Sequence, residues 1–255
     1  MALVRCEGVI LRVRDYGEAD RIITVLSGPE GKFDAVARGA RRPRSRMVGV
    51  TQQFSQAALL LFRGKNLDTL STAELVSAHL NLSSDVLRMA YASYVAELID
   101  KMTGERERND HLYHLVVATF DALDSLSCDP AHVALAFEVK FMSLIGFRPE
   151  LWKCVGCGAS AEASGWFGPE AGGLLCDRCR QRDRGNVPFG TESRQAAIAM
   201  LTLGYGQICL EMAEPGGTTQ LQMALRSYVD HRVERRLRSL DFIEDLRTME
   251  RGENR

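Results

Sequence analysis

Arg21-Ile22-Ile23-Thr24-Val25-Leu26, then Gly28-Pro29-Glu30-Gly31, then Lys32 through Ala37, is the stretch that decides the fold. Two short runs rich in β-branched and apolar residues flank a Gly-Pro-Glu-Gly reversal, the pattern of two strands joined by a turn. Working outward, residues 3–13 form another such run, separated from Arg21 by the polar turn Asp15-Tyr16-Gly17-Glu18. Downstream, residues 54–62 and 67–76 are apolar runs joined by Arg63-Gly64-Lys65-Asn66, a hairpin-like connection. Five strands within about eighty residues predict a small barrel, of which the OB type is one solution. An open sheet or a sandwich fits the local pattern equally well.

Near Ser83 the period changes. Val86, Leu87, Ala90, Tyr91, Tyr94, Val95 and Leu98 recur at helical spacing, which predicts a helix over 83–102 with Ser83, Ser84 and Asp85 as cap candidates. Asn109 or Asp110 starts a second helix running to Leu126. Asp129-Pro130 supplies a cap followed by proline at the first helical position, and Gly146 with Pro149 closes this third helix after Ile145. Beyond a cysteine-rich insert at 151–188, helical periodicity resumes over 191–203, 218–238 and 240–250. The expected organisation is α+β and multi-domain: an N-terminal OB-type barrel at 1–80, then a mainly helical domain at 81–255 with the finger of 151–188 inserted in it.

Cys154-Val155-Gly156-Cys157 and Cys176-Asp177-Arg178-Cys179 are separated by eighteen residues. Two residues between cysteines let both thiolates point at one ion from a tight turn, and two such turns complete a tetrahedron. Four thiolates close the coordination shell and leave no position for a catalytic water, so the expected cofactor is one structural Zn2+ held by Cys154, Cys157, Cys176 and Cys179. Gly158 can take the positive φ of a metal knuckle, whereas Arg180 stands at the equivalent place after the second pair. The other three of the seven cysteines, Cys6, Cys128 and Cys209, lie among apolar or helical residues and read as packing cysteines.

The net charge of −1 conceals an asymmetry: residues 1–80 hold 12 Lys/Arg against 8 Asp/Glu. The excess gathers in Arg38-Gly39-Ala40-Arg41-Arg42-Pro43-Arg44-Ser45-Arg46, five arginines in nine residues without an acid. Guanidinium groups keep their charge and grip phosphate oxygens in pairs, and Gly39 and Pro43 interrupt regular structure. With Lys32 just upstream, Arg38, Arg41, Arg42, Arg44 and Arg46 are the candidate contacts with nucleic-acid phosphates. Arg178, Arg180, Arg182 and Arg184 in the insert read as a solvated loop diluted by Asp177 and Asp183. Arg226, Arg232, Arg235, Arg236 and Arg238 read as a solvated helix face partly paired with Asp230 and Glu234.

No catalytic arrangement emerges. The nearest approach to a phosphate-binding P-loop is Gly31-Lys32, with Phe33 where Ser or Thr should bind magnesium and Leu26 where the first glycine should be. A nuclease would need an acidic metal-binding cluster, and Asp15, Glu18 and Asp20 fit a polar turn better. His111 and His114 share a helix face without a third ligand. An RNA-binding barrel protein remains a rival. No apolar run approaches the roughly 20 residues that span a bilayer, and the opening MALVRCEGVI carries charges where a signal peptide has an apolar core, so a cytoplasmic protein with no membrane partner is expected.

Nearly the whole chain resembles the RecO family of bacterial recombination mediators. The likeness lies in Gly8-Val9-Ile10-Leu11, in Arg14-Asp15-Tyr16-Gly17-Glu18-Ala19-Asp20, in Gly31-Lys32, and in Ala37-Arg38-Gly39-Ala40-Arg41-Arg42 through Ser45-Arg46. It continues in Phe137-Glu138, in Leu144-Ile145-Gly146-Phe147-Arg148-Pro149 leading into Cys154 and Cys157, and in Leu225-Arg226-Ser227-Tyr228 and Leu237-Arg238-Ser239. The resemblance implies an N-terminal OB domain, a helical domain and an inserted zinc finger. It also implies a non-enzymatic protein of DNA repair and homologous recombination that binds single- and double-stranded DNA and anneals complementary strands. Its implied partners are single-stranded DNA-binding protein and RecR, with which it helps load RecA recombinase on coated DNA, in the cytoplasm and at the nucleoid during repair.

Overall fold

A computed structural model of the chain describes residues 2–65, 67–125, 127–160, 165–211, 218–233 and 236–253. The first strands are β1 (Leu3–Tyr16), β2 (Asp20–Ser27) and β3 (Gly31–Ala37), followed by a short helix α1 (Met47–Val50), then β4 (Gln56–Phe62) and β5 (Asp68–Ser77). They close into a barrel in the order β1-β2-β3-β5-β4, with β4 returning to β1. Closure removes the edges that an open sheet of these lengths would expose, which settles the choice left open by local pattern. The long β1 serves two neighbours: residues 3–9 pair with β4, and residues 9–16 pair with β2 beyond a register shift at Leu11. Only the β3–β5 pairing is parallel within this barrel, aligning Ala35 with Asp68 and Ala37 with Leu70.

Alternation explains the interior. Cys6 and Ile10 of β1, Ile23 and Val25 of β2, Phe33, Ala35 and Ala37 of β3, Ala57, Leu59 and Leu61 of β4 and Leu70 of β5 form one buried cluster. Each strand contributes every second residue, as the pleat requires. At Gly8, between Cys6 and Ile10, a Cβ would sit 2.3 Å from Val25 Cγ1, so only glycine lets β1 approach β2 there.

The chain forms two compact units, Met1–Ser125 with Leu237–Arg255, and Leu126–Arg236. In the first, the barrel is accompanied by α2 (Leu80–Ser84), α3 (Val86–Met102), α4 (Asp110–Ser125) and the last helix, α9 (Arg238–Glu253). The helix predicted over 83–102 starts at Asp85, whose carboxylate accepts from the N–H groups of Leu87 and Arg88. Asn109 caps α4 by accepting from Leu112 N–H at 2.9 Å.

The second unit holds α5 (Pro130–Leu144), the strands β6 (Gly165–Gly168), β7 (Gly173–Leu175) and β8 (Val187–Phe189), then α6 (Thr191–Thr202), α7 (Tyr205–Glu211) and α8 (Thr218–Arg232). Asp129 caps α5 through Ala131 N–H, with Pro130 in its first turn. The small sheet runs β7-β6-β8, and Phe167 of β6 packs against Phe189 of β8 and the ring of Tyr228 on α8.

Two expectations differ from the structure. Cys128 and Cys209 are not separate packing residues: a disulfide joins the segment before α5 to α7. Nothing local announces a pairing across 81 residues, which depends on α5 meeting α7. Cys6 is a free cysteine inside the barrel, as expected.

The periodic run at 218–238 is also not one helix, since α8 ends at Arg232 and α9 starts at Arg238. A remote cap marks the start of α9. The Glu97 carboxylate of α3 accepts from Arg238 N–H at 3.2 Å, Ser239 N–H at 2.9 Å and Ser239 Oγ at 2.6 Å, satisfying donors that begin α9. Burial alone would lift the Glu97 carboxyl, but the bonds from Ser239 and Arg238 and the nearby Lys101 outweigh it and hold the group below its ordinary value. The lowered folded-state pKa means that this stabilisation is present above the unfolded value and is lost as pH falls through the folded one. A Glu97→Ala variant should therefore lose about 1–2 kcal/mol near neutral pH. Its deficit relative to wild type should shrink below about pH 4 in denaturant titrations.

Candidate metal centre and nucleic-acid interface

The four cysteines of the insert converge. Their Sγ atoms all lie within 4.8 Å of one another, and among the described residues they are the only group of three or more His, Cys, Asp or Glu side chains so placed. A tetrahedral tetrathiolate site needs sulfurs roughly 3.8 Å apart for metal–sulfur bonds of about 2.3 Å; Cys157 Sγ and Cys176 Sγ are 3.8 Å apart. The donor set fits a metal ion.

Local backbone builds the two knuckles. In the first, Gly158 has φ +74° and its N–H donates to Cys154 O at 2.8 Å, as the glycine after the second cysteine suggests. In the second, the N–H groups of Cys179 and Arg180 both donate to Cys176 O, a turn that Arg180 accommodates without positive φ. Gly156 lies where a Cβ would come within 2.9 Å of Cys179 Cβ and Sγ, so the knuckles meet at a glycine.

Cys176 N–H donates to Cys154 Sγ at 3.4 Å. Burial opposes ionisation of Cys154, yet this bond and those from Gly156 and Cys157 bring its thiol down to about 6. Burial and the neighbouring cysteines push Cys179 up to about 12.

Side chains around the knuckles are engaged. Trp166 Nε1 donates to Asp177 Oδ1 at 2.9 Å, the Arg180 guanidinium lies 4.6 Å from the Trp166 ring centroid, and Arg182 Nη1 donates to Gly156 O at 2.8 Å. Asp183 is no surface acid: it is buried and accepts from Glu170, Ala171 and Gly185 N–H groups. It does not dilute the surface charge of the loop; it builds the turn between β6 and β7.

In the first unit, the arginine loop between β3 and α1 has a defined backbone. Asp20 Oδ1 accepts from Gly39 N–H at 2.7 Å, Gly39 has φ +65°, and Arg41 N–H donates to Ala19 O at 2.9 Å. Further turns close through Arg42 N–H to Gly39 O and Ser45 N–H to Arg42 O. Arg38, Arg41, Arg42, Arg44 and Arg46 are all exposed. Arg41 is tied down: its guanidinium lies 3.4 Å from Asp15 Oδ2 and donates to Gly17 O and Glu18 O. Arg38, Arg42, Arg44 and Arg46 have no acceptor among the described residues. Two of the three acids are accounted for in the same place, with the Asp15 carboxylate on Arg41 and that of Asp20 on Gly39 as struts of this loop.

Lys32 sits elsewhere. It is 6% exposed, and its ammonium donates to Asp100 O and Thr103 O at the C-terminal end of α3 and lies 3.3 Å from Asp100 Oδ1. A cation there satisfies helix carbonyls and complements the helix dipole, so Lys32 adds nothing to the exposed charge of the arginine loop. Its neighbour Gly31 has φ +65°, with the Glu107 backbone 2.5 Å from where a Cβ would be. The Gly31-Lys32 pair is thus a barrel-to-helix joint. Lys32→Met should lower stability by about 2–4 kcal/mol by stranding those acceptors, while leaving the salt dependence of DNA binding unchanged in a fluorescence titration.

Arg226 pairs with Asp230 at 3.0 Å, and Arg232 donates to Pro169 O and covers the Tyr228 ring. Arg235 and Glu234 of the late basic cluster lie outside the described residues.

A closed OB-type barrel bearing an exposed arginine loop, with a helical region and a tetracysteine finger in the same chain, defines a barrel-and-finger protein. The family profile described as Recombination protein O N terminal matches residues 1–79, and Recombination protein O C terminal matches residues 83–241. The DNA repair protein RecO of Symbiobacterium thermophilum is 38% identical over 251 residues, covering 97% of this chain and 99% of the relative. That of Bacillus subtilis is 28% identical over 255 residues, 99% of each. The chain belongs to the RecO family.

No described helix is long and apolar enough to cross a membrane.

Proposed function

We propose that this protein acts in DNA repair and homologous recombination as a mediator that binds single- and double-stranded DNA, without turning over a substrate. The observation that carries the reading is the arginine loop: four guanidinium groups held out on a hydrogen-bonded backbone with no internal acceptor among the described residues. Phosphate is the natural acceptor for such a set. The barrel of residues 1–80 is the DNA-binding domain, with Arg38, Arg41, Arg42, Arg44 and Arg46 at its surface.

Annealing follows from the same charge. A cationic surface that neutralises phosphates on two strands lowers the repulsion that slows their encounter. RecR and single-stranded DNA-binding protein are the partners that family membership suggests, with loading of RecA recombinase on coated DNA as the outcome, in the cytoplasm and at the nucleoid. Zinc is the ion that suits four thiolates in a closed tetrahedral shell, and its role is to hold the finger's fold.

An annealing time course with complementary labelled oligonucleotides tests the reading. Annealing should accelerate with protein and slow as salt rises, DNA should bind at least as tightly as RNA of the same sequence, and no DNA should be cut in magnesium. A protein that bound only RNA, or cleaved the DNA in a manner abolished by Asp15→Asn, would contradict it.

A further inference from the structure

The chain contains two tryptophans, and both belong to the finger region of the second unit. They are placed differently. Trp166 packs against the cysteine cluster and is half-buried, with its indole N–H committed to Asp177. Trp152, two residues before the first knuckle, is 47% exposed. Its backbone is fixed: Glu150 Oε1 accepts from the N–H groups of Trp152 at 2.9 Å and Lys153 at 3.3 Å. The Arg148 guanidinium lies 5.1 Å from the Trp152 ring centroid.

The surroundings are apolar and basic. Phe147 and Val155 are exposed at 41% and 38%. Arg148 and Lys153 are exposed, as are Arg178 within the second knuckle and Arg184 after it, and Lys153, Arg178 and Arg184 have no acceptor among the described residues. Three of the four described acids between residues 146 and 186 are turned to other tasks: Glu150 on the Trp152 turn, Asp177 on Trp166 and Asp183 inside the finger. Glu170 is the exposed acid that remains. Nothing in the packing of the finger requires an indole at Trp152, which leaves the cysteine cluster's apolar contacts to Leu175 and Trp166.

A fixed, exposed indole beside an arginine and a lysine is the composition of a stacking platform for an unpaired base, with the cations reaching the adjoining phosphates. We infer that the finger carries a second nucleic-acid contact, in which one unpaired base of a single strand stacks on Trp152 while Arg148 and Lys153 hold its phosphates. The inference rests on the DNA-binding reading and adds a site that prefers single strands, because bases within a duplex are already stacked and offer no free face.

The full zinc-containing chain is titrated with oligothymidylate in two ways: anisotropy of a labelled oligomer reports binding anywhere, and intrinsic emission with an unlabelled oligomer reports on the tryptophans alone. Trp152→Ala and Trp152→Phe are compared with wild type, with metal content and thermal unfolding confirming that this exposed position leaves the fold intact. Wild-type emission should fall in step with the rise in anisotropy. Trp152→Ala should lose most of that quenching, weaken single-strand binding about tenfold and duplex binding far less, and leave the salt slope unaltered. Trp152→Phe, which keeps a ring, should restore most of the affinity.

Wild-type affinity in Trp152→Ala, or anisotropy that rises with no change in emission, would overturn the finger contact and leave DNA binding by the barrel standing. Quenching by an acidic amphipathic peptide in place of DNA would also overturn it, reassigning the surface to a protein. Absence of any anisotropy change would remove both readings together.

Discussion

A variant carrying Cys154→Ser and Cys157→Ser should bind no zinc and should lose the order of the whole finger. Elemental analysis should find about one zinc per wild-type chain and essentially none in the variant. Structural zinc contributes an apparent ~10–16 kcal/mol to isolated finger peptides at neutral pH, most of it as folding free energy. Here the three-stranded sheet is too small to stand on its own core, with Cys154, Leu175 and Cys179 as its buried cluster around the knuckles. The loss should spread beyond the knuckles. Phe167 of β6 packs on Tyr228 of α8, Tyr228 donates its hydroxyl to Phe147 O, and Arg232 donates to Pro169 O. Melting the finger removes the Phe167 and Pro169 contacts of α8, so the second unit should unfold several kcal/mol more easily in denaturant. A double variant with full metal content and wild-type stability would show that these cysteines do not hold the ion.

The second large effect concerns affinity. Replacing Arg42, Arg44 and Arg46 by Ala removes three guanidinium groups that have no hydrogen-bond or ion-pair partner among the described residues, so stability should hold while DNA binding falls. Each lost phosphate contact on a single strand removes about 0.7 from the slope of log affinity against log salt. Three of them change the slope by about 2 and weaken binding roughly fiftyfold at 0.15 M salt. The loss should be nearly equal for unrelated sequences, because phosphate contacts position the strand without reading bases. Arg41→Ala provides the comparison: its guanidinium already serves Asp15, Gly17 and Glu18, so its removal should loosen the loop more than it lowers the charge offered to DNA.

Much of this was legible before any coordinates. Apolar runs between turn signals revealed five strands, but a barrel, an open sheet and a sandwich fitted them equally, because closure depends on pairings such as β3–β5 that no local pattern encodes. The two Cys-x-x-Cys turns located the cysteine cluster that could hold a metal ion, since their chemistry is contained in four residues each. Asp85 and Asp129 announced helix starts because a cap and the donors it serves are sequence neighbours.

What escaped is what acts at a distance. Glu97 caps a helix 141 residues later and splits a run that looks continuous. Lys32 displays a positive charge in the sequence but not its direction, which is inward to the carbonyls of α3. Asp183 counts as surface charge until its buried bonds to Glu170 and Ala171 are seen. Trp152 and Arg148 are unremarkable until one covers the other.

The most direct test of the account is the salt dependence of single-strand binding, measured by anisotropy of a labelled unstructured oligonucleotide for wild type and for the Arg42, Arg44, Arg46 triple Ala variant. With about three to five phosphates neutralised, wild type should give a slope of roughly −2 to −3.5. The folded triple variant should bind far more weakly and with a slope shallower by about 2. Equal slopes and equal affinities for the two proteins would contradict the assignment of the DNA site to the barrel's arginine loop.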